Sequence, residues 1–415
     1  MHAHPALLPG SFLTLSPPLA ERLTRVPTAA TAAMTARARA LREGGADVIA
    51  LSIGEPDFAT PAHAIAAAEA AARRGETKYP PQDGTRALKE AIQRKFRRDQ
   101  GLDYALDEIM VGNGGKQVIF DALMAAVDPG AEVVIPAPYW ASYALMAELA
   151  GGRVVPVSCP ENAGFHLRAE DLAQAITPRT RLLILNFPNN PTGAACGPEE
   201  MAAIGRVLLE HPDVWVLADD IYEHLLYDGF RYVTLAAAEP RLRERVVTVS
   251  GVSKTYAMTG WRIGFCAGPR PLIRAMVNMQ GQATAGVSSI GQAAAAAALD
   301  GPQDFLTEQR ATYRRRRDLL LDLLSAAPGI TCHKPEGAFY LYPNIAGCIG
   351  RRSAAGREIA NDTDFALALL EEQHVAVVQG AAFGMSPYVR VSYATSEAAL
   401  ETAGQRIIRF CQGLR

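Results

Sequence analysis

Between Glu108 and Ser250 the chain repeats one pattern, a short apolar run followed by a turn and then an amphipathic stretch. EIMVG leads into GKQVIFDALMAAV, EVVIPA into WASYALMAELAG, and RLLILNF into PEEMAAIGRVLLEH, with RVVPV, VWVLAD and RVVTVS as further strand candidates. Such alternation predicts a mainly parallel sheet flanked by helices. LLILNF and VWVLA are apolar throughout, as strands covered on both faces are. Ligands of such sheets bind beyond the carboxyl ends of the strands, in the crevice left by the connecting loops. The chemistry is therefore expected at those ends.

After about Ile290 the regular alternation stops. An arginine-rich helical region runs through Leu324, followed by the strand pattern GAFYLYPNI, an insertion at Gly347–Ala360, the helix DTDFALALLEE, the short strands HVAVV and YVRVSYA, and a helix from Ser396. This texture predicts a second, smaller α+β domain, with which the segment before about Ala59 packs. The first 22 residues lack a basic segment ahead of their apolar stretch, and Pro5, Pro9, Pro17 and Pro18 oppose a helix there. They read as a disordered or loosely docked tail rather than a signal peptide.

At 415 residues the chain is long enough for two to three domains at about 150 residues each. Lys and Arg number 41 against 43 Asp and Glu, a formal charge of −2, so no basic field points to nucleic acid or an anionic membrane. Small molecules are the expected partners. No run approaches the roughly 18 apolar residues of a membrane span. The six cysteines are scattered without a CxxC pair, and the eight histidines include no HExxH. No metal site is expected, and the cysteines fit reduced thiols in a cytoplasmic protein.

Only six of the basic residues are lysines (Lys78, Lys89, Lys95, Lys116, Lys254 and Lys334), so each stands out against an arginine background. VGNGGKQVIF sets Gly112, Gly114 and Gly115 between a strand and a helix beginning near Lys116. Free N–H groups and the positive end of the helix dipole make such a turn a phosphate cradle, although an ordinary strand–helix turn has the same form. GxxxxGK[ST] and GxGxxG are both absent. In SGVSKTYAMTGWRIGF, Lys254 follows the strand RVVTVS and should project into the crevice with Ser250, Ser253 and Arg262. A partly desolvated amine beside a cation has a lowered pKa and forms a Schiff base with a carbonyl; taken alone, a bare S-K pair reads better as a solvated loop lysine. WVLADDIYEHL ends a buried strand in Asp219, with Tyr222 three residues on. A carboxylate there needs a facing cation or proton donor, either an arginine or a protonated ring nitrogen. NFPNNPTG, at another strand end, either forms a turn or aims the Asn190 amide into the crevice.

Nine segments in order resemble the class I, fold-type-I pyridoxal-5′-phosphate aminotransferases, over about Leu41 to Ala394: ALSIGEPDFATP, TKYPPQDGTRALKEAI, VGNGGKQVIF, PAPYWASY, NNPTG, ADDIYEHLLYD, SGVSKTYAMTGWRIGF, PEGAFYLYP and YVRVSYA. The resemblance implies an α/β fold with a three-layer αβα, mainly parallel sheet. It divides the chain into an N-terminal tail (1–20), a large cofactor-binding domain (61–304), and a small α+β domain (21–60 and 305–415). It implies pyridoxal 5′-phosphate as cofactor, carried as an internal aldimine on Lys254, and ping-pong transfer between an amino acid and a 2-oxo acid. Asp219 then pairs with the ring nitrogen, Tyr222 and Asn190 with the ring O3′, and Trp140 stacks on the ring. Gly114, Gly115, Lys116, Ser253 and Arg262 hold the phosphate, with Ser250 beside them where the family often has asparagine. Arg390 grips the substrate α-carboxylate in a two-pronged ion pair, and Gly54 approaches the same group. Tyr79 reaches the partner subunit's phosphate, so the active unit is a homodimer with shared sites.

Within the family the nearest resemblance is to bacterial aspartate aminotransferases, some of which accept prephenate or aromatic substrates. It implies L-aspartate and 2-oxoglutarate as substrates, with Lys116 and Thr31 at the distal carboxylate. Where that subgroup reads P-S-A-T this chain reads T-A-A-T from Thr28 to Thr31, so Ala29 removes a hydroxyl. Ala285-Gly286-Val287 replaces the common S-N-P and Gln379 a common proline, both expected near the substrate entrance. The rival readings are an aromatic, neutral or prephenate aminotransferase and, further off, a lyase or decarboxylase on the same cofactor. A non-catalytic regulator would need an added DNA-binding module, for which the chain has no spare segment.

Overall fold

The structure, a computed structural model, describes residues 20–24, 26 and 30–415. The proposed tail, apart from Ala20, and the departure at Thr28 and Ala29 lie outside the described residues. Strand β1 (Ile49–Ala50) comes first in the chain. The next seven, β2 (Ile109–Asn113), β3 (Glu132–Ala137), β4 (Arg153–Ser158), β5 (Thr180–Leu185), β6 (Trp215–Asp219), β7 (Val246–Gly251) and β8 (Ile263–Ala267), form one sheet in the order β2-β8-β7-β6-β5-β3-β4.

Strands β3 to β7 pair in parallel, whereas β8 is antiparallel to both β7 and β2. The alternation along the chain did not single out β8 as a strand. Its sequence IGFCA is short, and the β7–β8 connection is too brief for a helical crossover, so the chain returns in the opposite direction. Alternate residues go to opposite faces. Val133, Ile135, Leu182, Ile184 and Leu217 pack with Val118 and Leu123 of the helix Gly115–Ala126. Their neighbours Val134, Leu183, Leu185 and Val216 pack with Met201, Ile204 and Leu208 of the helix Pro198–Leu209. Helices thus cover both faces, giving the αβα layering expected.

A separate apolar cluster draws on both ends of the chain. Met34 and Leu51 meet Leu320, Phe339, Phe365, Val375, Val391, Ile407 and Phe410. The later strands are β9 (Tyr340–Leu341), β10 (Val375–Ala376), β11 (Val378–Gln379) and β12 (Val389–Ser392). β1 pairs in parallel with β10, while β11, β12 and β9 form an antiparallel sheet in that order. HVAVV therefore splits in two, because its halves join different sheets, and only Tyr340 and Leu341 of GAFYLYPNI form a strand, while Gly337 and Asn344 make isolated bridges. Among the described residues no helix is long and apolar enough to cross a membrane.

Candidate active site

The carboxyl ends of the parallel strands open into a cavity of about 810 Å³, closed on its far side by the helix Ala30–Glu43 and by β12. Lys254, Asp219, Tyr222, Asn190, Trp140, Gly115, Lys116, Ser253, Arg262, Gly54, Arg390 and Thr31 all line it. Residues up to 359 positions apart in the chain meet here: the adjacent strands β6 and β7 end at the cavity floor, while the helix Ala30–Glu43 brings Thr31 and β12 brings Arg390. Basic groups outnumber acidic ones on its walls: Arg39, Lys116, Lys254, Arg262 and Arg390 against Glu55 and Asp219. The cavity suits anionic molecules.

Lys254 follows β7 and donates to the Gly54 carbonyl at 2.6 Å. Burial first, and the Arg390 charge second, bring its amine down from 10.5 to about 8. Asp219 ends β6 and is 5% exposed. Burial pushes its carboxyl up from 3.8 to about 6, against the hydrogen bond from Tyr143 that favours the ionised form. The Tyr143 hydroxyl donates to Asp219 Oδ2 at 2.5 Å, and the Ile221 N–H to Oδ1 at 3.3 Å. A cation placed against this carboxylate would relieve the cost of its burial.

Arg390, on β12, is 3% exposed. Nη1 donates to Asn190 Oδ1 at 2.9 Å and Nη2 to the Ser52 carbonyl at 2.7 Å. Its Nε is buried with no partner, and no acid forms an ion pair with the side chain among the described residues. The guanidinium lies 4.6 Å from the Tyr340 ring centroid and 5.1 Å from that of Phe383. Two aromatic faces hold the charge without neutralising it, so it is free to bind an anion. Gly54 sits close by, and a Cβ there would run into the Tyr340 hydroxyl.

The opposite wall is the amino end of the helix Gly115–Ala126, whose first N–H groups have no partner within the helix. Gly114 precedes it at φ 79°, a conformation open to glycine, and a Cβ there would land on the Arg262 guanidinium. Arg262 itself takes φ 59° and donates from Nη1 to the Thr259 carbonyl at 2.9 Å. Helix dipole, glycine turn and arginine together make an anion cradle. Lys116 extends over the Trp140 ring, 4.9 Å from its centroid. Packing around it, then the Arg262 charge, hold its ammonium below the ordinary lysine pKa.

Residues 46–407 match the family model for aminotransferase class I and II. The chain belongs to this family. It is 52% identical over 395 residues to an aspartate aminotransferase of Rhizobium meliloti strain 1021, covering 95% of this chain and 96% of that one. Identity is 53% over 396 residues to an aspartate/prephenate aminotransferase of Cereibacter sphaeroides, covering 95% and 99%. Among solved structures, the Rhizobium meliloti aspartate aminotransferase superposes with a TM-score of 0.93 at 52% identity, covering 96% of this chain and 100% of that chain. The Thermus thermophilus aspartate aminotransferase solved with maleate gives 0.89 at 41%, covering 95% and 100%.

Three residues that the sequence assigned to the cofactor stand outside the walls of the aminotransferase cavity. Gly114 acts behind it, by leaving room for Arg262. Ser250 requires a correction: its hydroxyl donates to Glu223 Oε1 at 2.9 Å on the protein side of β7, because alternation along the strand turns it away from the crevice. Tyr79 is 95% exposed and contributes nothing to the cavity of its own chain. Ala285, Gly286, Val287 and Gln379 also lie off the walls. Sequence reasoning missed Tyr143, one helical turn after Trp140, and Tyr340, whose hydroxyl is 2.9 Å from that of Tyr222. It also missed Asn186, which receives the Asn190 N–H and donates to the Asp219 carbonyl, both at 2.9 Å. Thr35 and Arg39, on the wall below Thr31, could have been found from their spacing of four and eight residues along one helix face.

Proposed function

We propose that this aminotransferase uses pyridoxal 5′-phosphate to move an amino group between L-aspartate and 2-oxoglutarate, giving oxaloacetate and L-glutamate. The observation that carries the reading is the joint placement of a lysine amine lowered to about 8, a buried carboxylate and a buried guanidinium whose Nε has no partner, all in one cavity. The donor set fits the cofactor. Asp219 suits a protonated ring nitrogen, the Gly115 helix end with Arg262 and Ser253 suits a phosphate, and Trp140 offers an aromatic face. Tyr222 and Asn190, both on the cavity wall, would offer a hydroxyl and an amide to the ring O3′. When bound, the cofactor supplies an aldehyde to bond with amines and a ring that accepts carbanion electrons.

The chain's residues then divide the work. Lys254 would hold the cofactor through its amine and, once free, would move the proton to and from the substrate Cα as general base and acid. Arg390 and the Gly54 backbone fix the α-carboxylate, which sets the Cα–H against Lys254. Asp219 keeps the ring nitrogen protonated. Lys116, Thr31 and the basic walls receive the second carboxylate of a dicarboxylic substrate. The maleate in the Thermus thermophilus structure, a four-carbon dicarboxylate, supports that assignment, as do the names of the relatives.

We further propose a homodimer with shared sites, supported by the solvent-exposed Tyr79 in TKYPPQ. The division into 21–60 with 305–415 against 61–304 is likewise a proposal, supported by the apolar cluster that joins both chain ends. A cytoplasmic location is supported by six free cysteines. A second reading, transfer to prephenate, draws on the Cereibacter sphaeroides relative. A panel of amino donors against 2-oxoglutarate tests the choice. Aspartate should exceed phenylalanine and tyrosine, and Lys116→Ser should lower aspartate turnover selectively. Aromatic donors ahead of aspartate, with Lys116→Ser silent, would overturn it. Ammonia or carbon dioxide released without an acceptor would mark a lyase or decarboxylase instead.

A further inference from the structure

Asp219 ends β6, and Tyr222 sits on the turn that follows, which has no helical hydrogen bonding over 220–224. Locally it is tied by the Asp220 N–H to the Val249 carbonyl at 2.8 Å and by the Glu223 N–H to the Asp220 carbonyl at 2.9 Å. The Asp219 and Tyr222 side chains meet Tyr143, Ile221 and Tyr340 on the cavity side; the turn that carries Tyr222 is also held from the protein side. While Asp219 and Tyr222 line the cavity, Glu223 is turned into the protein and is 7% exposed. Its Oε1 lies 2.5 Å from Lys95 Nζ and accepts from Ser250 Oγ at 2.9 Å. Its Oε2 accepts from Gln100 Nε2 at 2.6 Å. Lys95 and Gln100 belong to the helix Arg86–Gln100, and Ser250 to β7, which leads to Lys254.

We infer that Glu223, clamped by Lys95, Gln100 and Ser250, is a positioning residue that fixes Asp219 and Tyr222 relative to Lys254. The inference rests on the cofactor reading above. A fully buried ion pair is a costly way to gain stability, since desolvation offsets much of its attraction. A clamp explains the expense: an ammonium and two hydrogen-bond donors, from two elements, converge on one carboxylate, one residue past Tyr222. The other titratable groups facing the cluster are Asp99, 3.8 Å from Lys95 and 3.2 Å from His224, with Arg98 paired to Asp99, together with the buried Asp220 and Tyr256 and with Tyr232. None of these lines the cavity. The cluster touches neither substrate nor cofactor, so its effect must pass through Tyr222 and Asp219.

The test uses the full chain loaded with pyridoxal 5′-phosphate, comparing Glu223→Gln, Lys95→Met, Ser250→Ala and the double variant Lys95→Met with Glu223→Leu. Displacing Tyr222 removes support for the ring oxyanion, so the bound form keeps its proton to higher pH. The pH midpoint of the visible band should rise by roughly one unit in the single charge variants, and cofactor Kd by about tenfold. Ser250→Ala strands no charge and should move both in the same direction by less. The double variant strands no charge either, so its Tm should recover while midpoint and Kd stay displaced. Midpoints and Kd that match the unaltered chain, or that recover along with Tm, would overturn the inference alone. An unaltered chain that forms no visible band would overturn the cofactor reading and this inference with it.

Discussion

Replacing Tyr143 by phenylalanine removes one oxygen from the core and nothing else of consequence. The ring is 1% exposed and meets Trp140 edge-on at 5.2 Å between centroids, contacts that phenylalanine keeps. What is lost is the 2.5 Å hydrogen bond to Asp219 Oδ2, leaving the carboxylate the longer 3.3 Å bond from Ile221. A hydrogen bond to a charged group contributes about 1.5–3 kcal/mol, or roughly one to two pKa units. Asp219 stands at about 6 with the bond in place, so without it the carboxyl becomes largely protonated at neutral pH. It then no longer offers a charge to a protonated ring nitrogen. Titrating the apoenzyme with pyridoxal 5′-phosphate, followed by its visible absorbance from pH 6 to 9, should show weaker binding of the variant at pH 7 and recovery at alkaline pH. The ratio of variant to wild-type Kd isolates Asp219, because Lys254 titrates alike in both. A ratio near one at every pH would refute the argument that Tyr143 keeps Asp219 ionised.

Lys254 at about 8 rather than 10.5 has roughly 300-fold more free amine at neutral pH. The rate of cofactor capture should therefore climb with pH and level off above about 8, and Lys254→Ala should abolish the visible band. Arg390→Lys loses the planar fork and should lower kcat/KM by about 30- to 100-fold, chiefly through KM for both donor and acceptor; an unchanged KM would remove Arg390 from the carboxylate site. Asp121 is fully buried with neither carboxylate oxygen partnered, and burial raises its pKa from 3.8 to about 7. The folded state holds the extra proton between those values, so stability is full below 3.8 and falls as pH rises through about 7. Asp121→Asn should consequently raise Tm by a few degrees more at pH 8 than at pH 5, as read by thermal denaturation.

Strands β3 to β7 were legible because burial on both faces writes itself as continuous apolar runs. β8 was not, because its direction follows from the length of the connection and the partners available rather than from its composition. In the same way Lys254, Asp219, Asn190 and Arg390 were recognisable in sequence. Each lies at a strand end or in a motif whose form is local, and the sequence by itself thus determined the fold class, the family and most of the cavity's reactive groups. Tertiary structure alone decided what surrounds them. Tyr143 and Asn186 gain their roles from Asp219, and Tyr340 from Tyr222, partners up to 118 positions away in the chain. Ser250 went from the cavity to Glu223 because a strand alternates its side chains between faces. A pKa, an orphaned Nε or a buried clamp depends on distance and on exclusion of water, and neither is fixed until the sheet and the flanking helices have packed.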